Sequence, residues 1–205
     1  MADPIKVYRT AAFAPLAHEI KRFGAMTKRE ALDRFEPSLI VGAMRRRVCA
    51  ERNTRIGTIL YLLHQGRKLT GMAGSFIPND DSLMNAVCLR TVGLMLEARG
   101  LVIDLLARRR SLVYHEGGKA ILVLAQHNGY AFAALRRMYK ALIDTGEFDE
   151  IHMYSYLSAS ELEDLAQILY APARGSRPLD RERLRLFTLP TPEEEVQAAA
   201  SREGG

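Results

Sequence analysis

Between Val41 and Thr70, Arg45, Arg46, Arg47, Arg52, Arg55, Arg67 and Lys68 face a single acid, Glu51. Such a run of guanidinium and ammonium groups suits a polyanion, because cations displace the counterions condensed on a phosphate backbone. Interleaved with them are Thr54, Thr58, Tyr61 and Gln65, whose side chains have the hydrogen-bonding capacity and reach to read base edges in a major groove. Recognisable catalytic spacings are missing: the chain has no HExxH, CxxC, GxSxG or Gly-rich phosphate loop. His115 to Lys119 (HEGGK) lacks the upstream glycine and the following Ser or Thr of a phosphate loop. His18, His64, His115, His127 and His152 are scattered, and Asp80-Asp81 and Glu193 to Glu195 read as solvated carboxylate runs. Cys49 and Cys88 lie in apolar stretches without zinc spacing, so free thiols are expected, with no metal and no cofactor.

Two short amphipathic helices would position the basic and base-reading groups. The first starts at Pro37 and runs to about Glu51, with Ile40, Ala43, Met44 and Val48 on one face and Arg45, Arg46 and Arg52 outside. Arg52-Asn53 makes the turn. The second helix starts at Thr54, keeps Ile56, Ile59, Leu60 and Leu63 inward, and stops at Gly66. This arrangement is a helix-turn-helix. Thr54, Arg55, Thr58, Tyr61 and Gln65 are then expected base contacts, and Arg45, Arg46, Arg47, Arg52, Arg67 and Lys68 expected phosphate contacts.

The elements around that pair also read as helical. Thr10 to Phe23 has helical character, and Thr27 to Glu30 is a capping box opening a short helix through Phe35. After a loop from Arg67 to Asp81, Ser82 is expected to cap a helix apolar nearly all round, which makes the stretch to Arg99 a candidate oligomer interface. Leu101 to Tyr114 reads as a further helix, with the cluster Arg108 to Arg110 near its end. Ala120 to Ala125 is ambiguous between strand and helix. Tyr130 to Thr145 is a helix, Ser158 to Glu161 a second capping box, Ala171 to Pro178 a linker, and Asp180 to Phe187 a short helix. The expected fold class is all-α: a compact bundle with a helix-turn-helix and a small acidic C-terminal appendage. The expected division is 1–146 as a basic helical domain, 147–189 as the appendage and 190–205 as a disordered tail.

Composition fits this division. At 205 residues and 48% hydrophobic content the chain can bury a sizeable core. Its net charge of +5 is uneven: from Glu147 onward twelve acids meet six bases, so the preceding residues carry +11. The longest apolar run, Leu83 to Leu96, is interrupted by Asn85 and Arg90 and is too short to span a bilayer, and no secretory signal precedes it. A soluble cytoplasmic protein is therefore expected.

Leu39-Ile40, Gly42-Ala43, Thr54, Leu60-Tyr61, Gly66 and Gly71-Met72, followed by an apolar helix from Ser82, resemble the N-terminal part of the FlhC family of transcriptional activator subunits. The resemblance covers roughly Ser38 to Tyr114. It implies a helical activator that binds double-stranded DNA in a homo- or hetero-oligomer, an FlhD-like subunit being the hetero-partner the resemblance offers. The four-cysteine zinc site of that family has no counterpart here, since no cysteine follows Cys88. Two other readings remain open: an interaction or assembly protein whose basic surface is incidental, and an enzyme whose site assembles in space around His115, Glu116 and His127.

Overall fold

Pro15 falls in the first turn of helix α1 (Ala14–Phe23), where a missing N–H goes unmissed, and Gly24 ends the helix in a left-handed conformation. The computed structural model describes residues 10–74, 76–106, 110–171, 178–192 and 194. Strand β1 (Ala25–Thr27) follows α1 directly. Thr27 then caps α2 (Lys28–Arg34), its hydroxyl accepting from the Glu30 N–H at 3.1 Å. Pro37 opens α3 (Pro37–Arg45), and an antiparallel hairpin of β2 (Cys49–Thr54) and β3 (Gly57–Leu62) comes next. The sheet order is β1-β3-β2. Leu16, Ile20, Met26, Ile40, Ala43, Val48, Leu60 and Leu62 fill the core between this sheet and the helices. Helix α4 (His64–Leu69) packs so closely that a Cβ on Gly66 would lie 2.2 Å from the Val48 carbonyl oxygen. Only glycine fits there.

Helix α5 (Asp80–Ala98) comes next. The chain forms two compact units, Met1–Arg90 with Pro192–Gly205 and Thr91–Thr191, so the division falls inside α5. The N-terminal stretch of α5 is fixed within the first unit by Arg90, whose side chain is 1% exposed. Its Nε donates to both Glu30 carboxylate oxygens at 3.0 and 2.9 Å, and its Nη2 to Glu19 Oε1 at 2.6 Å. Nη1 donates to the Glu19 carbonyl, and the guanidinium lies over the Phe23 ring. Burial pushes the Glu19 carboxyl up, but the hydrogen bond and charge of Arg90 outweigh it and hold the group below the ordinary range.

The second unit is a five-stranded sheet ordered β4 (Ile103–Leu106), β5 (Ser111–Glu116), β6 (Lys119–Ala125), β7 (Glu150–Ser155), β8 (Leu184–Thr188). The first three strands form an antiparallel meander; β6, β7 and β8 are parallel, joined through α6 (Phe132–Leu142) and α7 (Ala159–Tyr170). A strand turns alternate residues to opposite faces. One face carries Val113, Leu122, Leu124, Ile151, Met153 and Leu184 into a core with Leu135, Tyr139, Leu162 and Leu169 of the helices.

The other face holds a buried polar line. Tyr114 Oη lies 3.0 Å from His152 Nδ1, and His152 Nε2 lies 3.0 Å from Glu150 Oε2. Lys119 donates to Glu150 Oε1 at 2.6 Å. An ionised carboxylate only accepts, so Nε2 carries the imidazole proton and Nδ1 accepts from the Tyr114 hydroxyl. Burial pushes Tyr114 up to about 12. Burial also holds His152 below the ordinary histidine value, against the upward pull of Glu150. A base that takes its proton less readily folded than unfolded contributes stability that is full above about pH 6.5 and declines as the pH falls from there. The expected result is a melting temperature that drops on acidification through that range, with the His152 ring titrating by NMR below about 6.5. A ring titrating above the free-histidine value would contradict this.

The all-α bundle expected from the sequence does not form: the described residues are 45% helical and 25% strand, in two sheets. The helix from Pro37 ends at Arg45 rather than Glu51, and Thr54 to Gln65 is no helix but a hairpin turn, β3 and the start of α4. The run Thr58-Ile59-Leu60-Tyr61-Leu62 is rich in β-branched and aromatic residues, and Gly57 has φ +103°, which a helix interior does not use. Leu101 to Tyr114 forms β4 and β5 for the same reason, and Asp180 to Phe187 leads into β8 rather than a helix. Ala120 to Ala125 is strand. Asn79, not Ser82, caps α5: its side-chain oxygen accepts from the Ser82 N–H at 2.9 Å. Arg108, Arg109, most of the Ala171 to Pro178 linker and most of the tail expected to be disordered lie outside the described residues.

Candidate nucleic-acid interface

Helices α2 and α3 are separated by only Phe35 and Glu36, and α3 is followed at once by the β2–β3 hairpin. Within the order helix, strand, helix, helix, strand, strand, the second helix of the adjacent pair carries the exposed basic end. Here that helix is α3. Its Ile40 and Ala43 are buried, and a Cβ on Gly42 would come within 3.1 Å of the Phe13 ring. Those inward contacts turn Ser38, Val41 and Arg45 out on one line at i, i+3, i+7 spacing, and all three are exposed.

The C-terminal end of α3 concentrates positive charge. Arg45, Arg46 and Arg47 are exposed, and their side chains make no hydrogen bond or ion pair among the described residues. The Arg47 N–H donates to the Met44 carbonyl and the Val48 N–H to that of Ala43, the paired bonds that close a helix through a left-handed residue. That residue is usually glycine, yet here it is Arg47, with φ +57°. The left-handed backbone costs an L-residue about 1–2 kcal/mol.

At the hairpin tip, Thr54 pairs with Gly57, leaving Arg55 and Ile56 as a two-residue loop. The Thr54 hydroxyl donates to the Gly57 carbonyl at 2.8 Å, and the Thr58 hydroxyl to Asn53 Oδ1 at 2.8 Å. Ile56 folds inward while Arg55 and Asn53 stay exposed.

The five expected base contacts are therefore not on one helix face. Arg55 is at the tip, Thr54 and Thr58 brace it, and Gln65 is exposed on α4. Tyr61 is 7% exposed in the middle strand, with the Arg52 guanidinium 5.5 Å from its ring centre. Of the expected phosphate contacts, Arg45, Arg46, Arg47 and Lys68 are exposed, with side chains that have no partner among the described residues. Arg52 and Arg67 are engaged by the fold. Arg52 donates to the Pro78 carbonyl at 2.8 Å and to Asp80 at 3.1 Å; Arg67 donates to the Gly74 and Ala73 carbonyls. Ser38 and Val41 were missed, although a helix start at Pro37 with Ile40 and Ala43 inward already assigns them to the outer face.

The other candidate chemistry does not converge. His115 lies opposite Ala120 at one end of β6, and His127 lies just beyond its other end, roughly 20 Å away at the rise of a strand. A pocket lined by both with Glu116 is not formed. Burial pushes Cys49 up to about 11, helped by the Glu51 charge, and Cys88 up to about 12, so both stay thiols at neutral pH. Among the described residues no cluster of His, Cys, Asp or Glu can hold a metal, and no helix is long and apolar enough to cross a membrane. The apolar residues of α5 offered as an oligomer interface, among them Leu83, Val87, Val92 and Leu96, are buried within the chain itself.

No family model matches the chain, and neither a curated protein nor a solved structure matches it. Leu60-Tyr61, two of the residues that resemble FlhC, lie in a strand here, whereas that resemblance implies a helical fold.

Proposed function

We propose that this chain binds double-stranded DNA as a transcription regulator, with α3 entering a major groove and the β2–β3 hairpin lying against the adjoining backbone. The observation that carries this reading is the set of Arg45, Arg46, Arg47, Arg55 and Lys68, five exposed cations whose side chains have no partner among the described residues. Helix-dipole complementarity alone favours cations at the end of α3, by about 0.3–1 kcal/mol each. It gives no reason to keep arginine in a left-handed backbone where glycine is better. A phosphate contact does.

The two roles of Arg47 separate experimentally. Arg47→Gly should raise the stability of the first unit by about 0.5–1 kcal/mol, because the strained backbone is relieved. The same change should make the slope of log affinity against log salt shallower by about 0.9, one phosphate contact. A variant both more stable and unchanged in slope would remove Arg47 from the interface. Fluorescence anisotropy of a labelled random-sequence duplex, followed over a salt series, tests the reading as a whole.

A further inference from the structure

Val41 is out of keeping with its surroundings. It is 41% exposed at the centre of the outward line of α3, one turn from Ser38 and one turn from Arg45, the polar and basic members of that line. Ile40 and Ala43 satisfy the core beneath it, and the close approach of Gly42 to Phe13 fixes the rotation of the helix, so Val41 has no inward position to adopt. Valine is also a poorer helix former than alanine at a solvated site. Resting on the reading of α3 as the groove-entering helix, we propose that Val41 is a specificity-determining residue that packs on the 5-methyl group of thymine. Among the base edges of the major groove, that methyl is the apolar feature a small branched side chain can recognise. Ser38, on the same line, then meets a polar edge, and Arg45 the backbone.

The probe is a random-sequence duplex pool enriched once on the full chain and then resynthesised with either thymidine or deoxyuridine, which differ only by that methyl. The wild type should bind the thymidine pool about fourfold more tightly, the value of one buried methyl group. Val41→Ala, which favours the helix, should bind both pools alike, at the wild-type affinity for the deoxyuridine pool. Equal wild-type affinity for the two pools, or a thymidine preference that survives Val41→Ala, overturns the role of Val41 while leaving DNA binding in place. If neither pool is bound, the DNA-binding reading fails, and this one with it.

Discussion

Arg90→Ala should destabilise the first unit by about 3 kcal/mol, near the lower end of what is lost when one member of a buried ion network is removed. The guanidinium is 1% exposed and holds two carboxylates, Glu19 and Glu30. Without it they face each other with Arg34, itself partly exposed, at 3.0 and 3.4 Å, and with the more distant charge of Arg22 near Glu19. Both carboxyls are about a quarter exposed, and solvent screening keeps the cost from the top of the range. The sign of the pH dependence follows. With Arg90 gone, the main influence holding the Glu19 carboxyl low is lost while burial still pushes it up, so the variant's deficit shrinks as the pH falls toward the ordinary carboxylate range of about 4.3. Adding Glu19→Gln and Glu30→Gln should restore part of the loss, because amides need no counter-charge. Hydrogen exchange across α1 and α2 reads this locally; the chain has no tryptophan. A loss below about 1 kcal/mol would mean that the network adds nothing beyond an ordinary surface pair.

The largest expected effect on binding comes from Arg45→Ala, Arg46→Ala and Arg47→Ala combined. Each phosphate contact contributes about 0.9 to the salt slope. Three lost contacts make the slope shallower by about 2.7, and at about 0.1 M salt that corresponds to roughly 500-fold weaker binding if the non-electrostatic part is unchanged. These side chains are exposed and have no partner among the described residues, so stability should be little affected. Arg52→Ala is the informative contrast. Its guanidinium ties the hairpin to Pro78 and Asp80, so its loss should be felt in hydrogen exchange of β2 and β3 before it is felt in the salt slope.

The local punctuation of this chain was legible. Thr27 and Ser158 cap helices where their spacing to Glu30 and Glu161 says they should, and Pro37 opens α3. The strands were not, because most of them lie buried on both faces and lose the alternation that marks a half-exposed strand. β6 reads Ala-Ile-Leu-Val-Leu-Ala after its lysine, and the whole of β7 from Glu150 to Ser155 is buried. A short apolar run of that kind fits a helix as well as a strand. The basic cluster was visible as composition, but its placement depended on one turn. Taking Thr54 as a helix cap instead of a hairpin residue moved the expected reading helix from Pro37–Arg45 to Thr54–Gln65. With it went Tyr61, buried in the middle strand of the sheet, while Ser38 and Val41 went unnoticed. Arg90 gave no signal at all, since its partners are 60 and 71 residues away in the chain.

The most direct measurement is the affinity of the unmodified full chain for random duplex DNA between about 50 and 200 mM salt. Five phosphate contacts, by Arg45, Arg46, Arg47, Arg55 and Lys68, predict a slope near −4.5 and a fall of roughly 500-fold over that interval. Binding that is absent at the low end, or that changes by less than about fourfold across it, would contradict the claim that these cations meet a nucleic-acid backbone.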